Sequence, residues 1–146
     1  MTRDKWNGAQ IIKRLRQQAH ENLLRATIIV QRAARRNVRT GGPSGLHRRT
    51  GQLENSIIYE IEQIVGRVGS NLRYARIHEL GGTTRPHVIR PRRVAALRFF
   101  IGADVVFARS VRHPGSHIPP RPYLRPALDQ NLARIRRELC RPLPGG

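Results

Sequence analysis

The chain has 146 residues, which suits one compact domain, and 38% of them are hydrophobic, enough for one modest core. Basic side chains outnumber acidic ones by 28 to nine, which gives a formal net charge of +19. No apolar run reaches the roughly 18 residues that span a bilayer, and residues 1–6 lack the apolar stretch of a secretory signal. Because Cys140 is the single cysteine, an internal disulfide and a multi-cysteine metal site are excluded, and we expect a cytosolic product.

The positive charge is carried almost entirely by arginine, since Lys5 and Lys13 are the two lysines among the 28 basic residues. A GC-rich genome explains the choice of arginine over lysine, but it does not explain the excess of positive charge. A chain of this charge favours anionic partners, either phosphate backbones or acidic protein surfaces. The planar guanidinium group suits both kinds of partner.

The first predicted element is a long helix over residues 8–36. Asn7 is its expected N-cap, and Gln10 follows three residues later, as in a capping box. Apolar residues recur at spacings of three or four, which is typical of one helix face. These residues are Ile12, Leu15, Ala19, Leu23, Ala26, Val30 and Ala33. Because the stripe is rich in alanine, we expect close packing with little area buried per residue.

Two glycine-rich segments, residues 40–49 and 81–87, predict flexible loops. A short helical turn is expected to begin near Thr50, whose hydroxyl suits an N-cap. Between the loops, residues 72–80 predict a short helix or a tight turn that ends at Gly81.

Four strands are predicted. Residues 57–62 alternate between apolar and polar, which indicates a half-buried strand, and residues 65–68 predict its return, with Gly66 at a turn or bulge. Residues 95–101 and 105–111 predict a second hairpin, connected by Gly-Ala-Asp.

The C-terminal part begins with an extended, irregular segment over residues 113–122, because it carries four prolines and a glycine. A closing helix is predicted over residues 122–139, and the tail 141–146 is predicted to be irregular. The apolar stripe of that helix consists of Leu124, Leu128, Leu132, Ile135 and Leu139. The predicted fold class is therefore α+β, with a long N-terminal helix, an antiparallel sheet of about four strands, a short central helix and a C-terminal helix. We expect one domain over residues 1–146.

No catalytic or metal-binding pattern stands out. His78-Glu79 has no second histidine at the spacing of a zinc protease. His113 and His117 are four residues apart, but Pro114 and Gly115 between them forbid the regular helix that would bring them together. The expectation is therefore no catalytic residue, no metal, no cofactor and no enzyme activity.

Three segments carry a family pattern. Residues 49–57 read Arg-Thr-Gly-Gln-Leu and then Ser-Ile, residues 68–81 read Val-Gly-Ser and then Tyr-Ala-Arg-Ile-His-Glu-Leu-Gly, and residues 113–128 read His-Pro-Gly and then Arg-Pro-Tyr-Leu-Arg-Pro-Ala-Leu. In this order and spacing, behind a long helix, they resemble the tail-completion or neck family of long-tailed bacteriophages, which includes minor tail proteins of the Z type. The resemblance covers about residues 8–138.

The resemblance implies a structural virion protein that forms a ring, six copies being expected, and joins the portal and head-completion proteins to the tail tube. Its expected partners are other copies of itself and the neighbouring neck proteins, namely the stopper and the tail terminator or tail tube, with DNA passing through the lumen and no membrane. The location implied is the neck or tail region of a virion made in the host bacterial cytoplasm. The alternatives are a basic accessory protein that binds nucleic acid and, least favoured, an enzyme.

The resemblance also singles out residues for interfaces or packing. These are Arg49, Thr50, Gly51, Leu53, Tyr74, Ala75, His78, Glu79, Gly81, His113, Pro114, Gly115, Arg121, Pro122, Tyr123, Leu124 and Pro126. Arg49 is expected either to reach an acidic partner or to lie in solvent. Glu79 is expected to pair with a nearby arginine or with the next subunit, and Arg121 to form an ion pair between subunits or towards the core. The arginines are expected to face acidic neighbouring rings rather than DNA, because tight phosphate binding would impede DNA ejection.

Overall fold

The computed structural model describes residues 7–47 and 49–142, and its class is α+β, which confirms the prediction. The helices are α1 (Gly8–Thr40), α2 (Gln52–Ser56), α3 (Ala75–Leu80), α4 (Leu124–Asp129) and α5 (Leu132–Leu139). The strands are β1 (Leu46–His47), β2 (Ile57–Glu62), β3 (Val65–Ser70), β4 (Gly82–Thr83), β5 (His87–Ile89), β6 (Leu97–Ile101), β7 (Asp104–Ala108), β8 (Val111–His113) and β9 (His117–Ile118).

The chain folds into two compact units. The first contains the residues up to Leu80 and those from Pro120 onwards, and the second is Gly81–Pro119. The expectation of one domain over residues 1–146 stays a prediction, and residues 143–146 of the predicted irregular tail lie outside the described part.

Helix α1 runs four residues beyond its predicted end and stops at Gly41, whose φ of 88° is left-handed and therefore suits glycine. The side chain of Asn7 makes no capping hydrogen bond, so the predicted capping box is wrong. The backbone carbonyl of Asn7 accepts hydrogen bonds from the N–H groups of Gln10 and Ile11 instead. Burial is concentrated in the second half of the helix, and Ile12 and Leu15 in the first half are exposed.

The core of the first unit forms where small residues of α1 let other elements approach closely. Ala33, Ala34 and Val38 pack in one buried cluster with Ile57 of β2 and with Tyr123, which is 1% exposed. Burial, followed by the nearby charge of Glu79 and by Tyr74, raises the pKa of Tyr123 to about 12. The phenol therefore remains neutral, as its position in an apolar cluster requires.

The predicted closing helix is two helices, because the chain breaks at Gln130 and Asn131. The Asn131 side chain is buried and donates a hydrogen bond of 2.8 Å to the carbonyl oxygen of Ala127. An asparagine bonded in this way to its own backbone competes with the helical ladder.

Strands β2 and β3 form a regular antiparallel hairpin, in which Gly66 pairs with Ile61. Gly66 therefore lies within a strand and not at the turn or bulge that we predicted. The reason is close contact with α1, because a Cβ atom at Gly66 would lie 2.1 Å from the Thr27 hydroxyl oxygen.

The second unit is a nested antiparallel ladder, which we call the long hairpin (Gly81–Pro119). Strand β4 pairs with β9, β5 with β8 and β6 with β7, and the chain reverses at Gly102 and Ala103. The strands of the described residues thus pair two by two rather than in one four-stranded sheet. The segment over residues 113–122 is more regular than predicted, because β9 occupies two residues between its prolines.

Candidate interaction site

The first motif turns the chain into α2. The helix begins at Gln52, near Thr50 as predicted, but Gly51 with φ 79° occupies the N-cap position in place of Thr50. The Thr50 hydroxyl still accepts a long hydrogen bond of 3.4 Å from the N–H of Gln52. Leu53 is buried in the core, whereas Arg49 is exposed. This arrangement anchors one side of the motif and leaves its arginine at the surface.

The second motif lies on α3. Ala75 is buried in the core cluster, and the rings of Tyr74 and His78 meet edge to face at 5.8 Å between centroids. Helix α3 ends before Gly81, whose φ of 72° is the left-handed conformation expected there.

Glu79 holds the start of α4. Its carboxylate accepts hydrogen bonds from the backbone N–H groups of Tyr123 at 2.8 Å, Leu124 at 2.9 Å and Arg125 at 2.9 Å. A carboxylate on three free N–H groups at a helix N-terminus satisfies donors that have no partner within the helix. The expected ion pair with an arginine is therefore replaced by a helix cap that links the second and third motifs.

Arg121 connects the same two motifs through its backbone. Its N–H donates a hydrogen bond of 2.6 Å to the carbonyl oxygen of His78, and its side chain is exposed. No ion pair of its guanidinium group occurs among residues 7–47 and 49–142. The core-facing ion pair expected of Arg121 is therefore wrong, and the pair between subunits stays a prediction.

Residues from all three motifs line one cavity of about 500 Å³ in the first unit, which we call the motif pocket. Seven of its lining residues belong to the motifs, and these are Arg49, Thr50, Gly51, Leu53, Tyr74, His78 and Arg121. The other four are Val38, Leu46, His47 and Glu54, none of which the sequence singled out. Segments far apart in the chain thus meet at one concave surface.

The electrostatics of the motif pocket favour an anion. Its one carboxylate, Glu54, is bonded to the Arg39 guanidinium at 2.9 Å. Arg49 and Arg121 have no bonding partner within the described part of the chain. The Nδ1 atom of His78 is buried and has no hydrogen-bond partner among the residues that the structure describes. Burial, followed by the charge of Arg121, lowers the pKa of His78 below its ordinary value. Two guanidinium groups with no partner among residues 7–47 and 49–142, and a neutral imidazole, therefore line the cavity.

The third motif is divided between the two units. Pro122, Tyr123, Leu124 and Pro126 pack at the start of α4, while His113, Pro114 and Gly115 lie in the long hairpin. There the ring of His113 stacks on that of His87, with centroids 5.0 Å apart. A Cβ atom at Gly115, whose φ is 93°, would lie 2.3 Å from the Thr84 carbonyl oxygen. The histidine-proline-glycine segment thus shapes the hairpin and does not line the pocket.

Sequence reasoning missed three buried asparagines. Asn22 donates to the carbonyl oxygens of Leu139 and Arg141, and Asn37 donates to that of Tyr123 at 3.0 Å. Asn131 donates to the carbonyl oxygen of Ala127 at the break between α4 and α5. For Asn22 and Asn131 the available signal was an asparagine in the interior of a predicted helix, where its poor helix propensity calls for a tertiary reason. Asn37 lies one residue beyond the predicted end of the first helix and carried no such signal.

Comparison with protein families decides the class of this chain. The model of the phage virion morphogenesis family matches residues 25–139. The chain belongs to the phage virion morphogenesis family. It is therefore a virion-associated morphogenesis protein of a bacteriophage, which indicates a structural rather than a catalytic protein.

Neither the curated proteins nor the solved structures give a significant match. Within the described residues, no group of three or more histidine, cysteine or acidic side chains could hold a metal ion. The helices described are also too short or too polar to cross a membrane.

Proposed function

We propose that this chain is a structural subunit of the head–tail connector of a long-tailed phage, of the tail-completion type that includes Z-like minor tail proteins. Six copies form a ring between the portal and head-completion proteins and the tail tube. The observation that carries this proposal is the motif pocket. Residues of the first two motif segments and Arg121 of the third line one surface cavity, and Arg49 and Arg121 have no bonding partner among residues 7–47 and 49–142.

A ring also accounts for apolar surface that the single chain leaves uncovered. Ile11, Ile12 and Leu15 are each about half exposed on the first half of α1, and Phe100 and Phe107 are about two-thirds exposed on the long hairpin. Scattered apolar residues are normal on a surface, but sets of this kind mark contacts with other proteins. A heterologous contact repeated to closure buries both kinds of surface in each copy.

The test is a phage in which the gene carries a nonsense mutation, examined by electron microscopy of lysates. We expect DNA-filled heads and complete tails that are not joined, and joining restored when purified protein is added. Gold-labelled protein in rescued particles should lie between head and tail. Joined virions in the absence of the protein, or a label at the tail tip, would refute the proposal.

The second candidate is a nucleic-acid-binding accessory protein, which one observation favours. The long hairpin contains seven arginines and a single acidic residue, Asp104. The test is the binding of purified protein to double-stranded DNA between 50 and 300 mM salt, concentrations chosen to expose counterion release. A steep loss of affinity with salt in a chain that does not restore head–tail joining would favour this candidate.

A further inference from the structure

The carboxylates of the chain differ in whether they have an internal partner. Of the acidic side chains in residues 7–47 and 49–142, six are engaged within the chain, and these are Glu21, Glu54, Glu62, Glu79, Asp129 and Glu138. Glu60 and Asp104 have no bonding partner in that part of the chain. They are the carboxylates that the described fold leaves to another molecule.

Asp104 is the better placed of the two to enter a cavity. It stands at the tip of the long hairpin, directly opposite Ile101, which is 62% exposed. Glu60 lies in the middle of β2, opposite Arg67. A hairpin tip can insert into a concave site, whereas a side chain in mid-strand has backbone on both sides. The tip therefore combines one free carboxylate with an exposed apolar side chain.

The motif pocket offers the complementary groups. Arg49 and Arg121 have no partner among the described residues, and Leu46, Leu53 and Val38 supply apolar lining. A cavity of about 500 Å³ lies within the range of sites that enclose a ligand, so it has room for the few side chains of a hairpin tip. Guanidinium groups bind carboxylates strongly where water is excluded.

We propose that the motif pocket of one copy receives the hairpin tip of a second copy, with Asp104 bound by Arg49 and Arg121 and with Ile101 against the apolar lining. Each copy then gives a tip and receives one, which is a heterologous contact that closes into a ring. This inference rests on the proposed function for the ring itself, and it adds the contact that closes the ring. The carboxylate of Asp104 then supplies a negative charge to Arg49 and Arg121, which have no partner within the described part of their own chain.

Disulfide trapping tests the contact directly. In a Cys140→Ser background, a tagged Asp104→Cys chain and an untagged Arg121→Cys chain are mixed and oxidised with diamide. We expect covalent heterodimers, and a chain that carries both substitutions should give a ladder of multimers. The matched control is Glu60→Cys mixed with Arg121→Cys, which should cross-link at least tenfold less. Equal cross-linking of the control, or a double variant that stays monomeric, would overturn the proposal.

Charge exchange provides a second measurement, with association followed by sedimentation at about 150 mM salt. Asp104→Arg alone and Arg121→Glu alone should each weaken association at least about tenfold, the effect of losing one close charge pair. Their equimolar mixture should restore most of it, because the arginine introduced at position 104 then meets the glutamate introduced at position 121, while the native Asp104 meets Arg49 and Arg121. Rescue in a chain that carries both Asp104→Arg and Arg121→Glu, without rescue by the mixture of single variants, would mean a contact within one chain and would overturn the proposal.

The outcomes separate the contact from the function. Joining of heads and tails that depends on the protein, together with failed cross-linking at Asp104, would leave the connector role standing and remove the contact. Cross-linking and charge rescue in a protein that the phage does not need for joining would keep the contact and remove the role.

Discussion

Replacing Glu79 with alanine should lower the free energy of unfolding, because Glu79 holds the start of α4. The carboxylate accepts three backbone N–H groups at the start of α4, at 2.8 to 2.9 Å. A lost helix cap costs about 0.5–2 kcal/mol, and a hydrogen bond to a charged group contributes about 1.5–3 kcal/mol. The N–H of Arg125, an exposed residue, regains water, so the three bonds do not add in full. We expect the free energy of unfolding to fall by about 3 kcal/mol.

The measurement is urea unfolding followed by circular dichroism. With a slope of about 2 kcal/mol per molar urea, the midpoint should fall by roughly 1.5 M. Glu79→Gln retains one acceptor oxygen and should lose about half as much. The matched control is Glu62→Gln, since Glu62 bonds Arg67 at 2.6 Å with both side chains largely exposed, and such pairs contribute at most about 1 kcal/mol. A Glu79→Ala variant as stable as Glu62→Gln would refute the capping role.

Three further predictions concern stability. Gly66→Ala places a methyl group against Thr27 and should cost about 1–3 kcal/mol in urea unfolding, whereas Gly69→Ala, with nothing within 4 Å, should cost less than half as much. Asn37→Ala removes a buried hydrogen bond and should cost about 1–3 kcal/mol in the same assay; no loss would mean that water replaces it. Because the folded chain resists protonation of His78, stability should be full above pH 6.5 and should fall as the pH falls below it. The His78→Gln variant should lose less free energy of unfolding between pH 7.5 and 5.5. An unchanged dependence on pH would mean that protonation of His78 does not cause the decline.

The secondary structure was largely predictable because it depends on short-range patterns. The period of three or four marked α1, and the alternation from Ile57 to Glu62 marked β2. The break at Asn131 was not predictable from periodicity, because the apolar stripe continues across it. The same holds for Gly66, since only the position of Thr27 explains why a strand needs a glycine there.

The candidate site was predictable in its members and not in its geometry. The motif pattern named Arg49, His78 and Arg121, but their meeting in one cavity depends on long-range packing. Glu79 shows the limit most clearly. Because Glu79 is one of nine acidic residues in a basic chain, an ion pair with an arginine was expected. Its carboxylate accepts hydrogen bonds from backbone N–H groups instead. Sequence identifies that a charge must be compensated, whereas only the fold identifies the compensating group.

The apolar stripe of α1 shows the same limit of sequence patterns. Periodicity places Ile12 and Ala33 on one face of the helix, and it does not show which part of that face the fold buries. Ala33 is covered by the chain's own core, whereas Ile12 is half exposed. The alanines limit the area that the chain buries by itself, and Ile12 and Leu15 in the first half of the stripe stay about half exposed.

The fold leaves most of the arginines without an acidic partner among the described residues. Most of the described carboxylates cap a helix or pair with a nearby arginine. Because basic residues outnumber acidic ones by 28 to nine, these pairs compensate only a few of the arginines. Self-repulsion among them opposes association of bare copies, while an acidic neighbour or salt relieves it. Assembly of the purified chain should therefore strengthen as salt rises from about 50 to 300 mM, even though each individual ion pair weakens. Assembly that instead dissolves with salt would show that attraction at contacts such as Asp104 outweighs the repulsion.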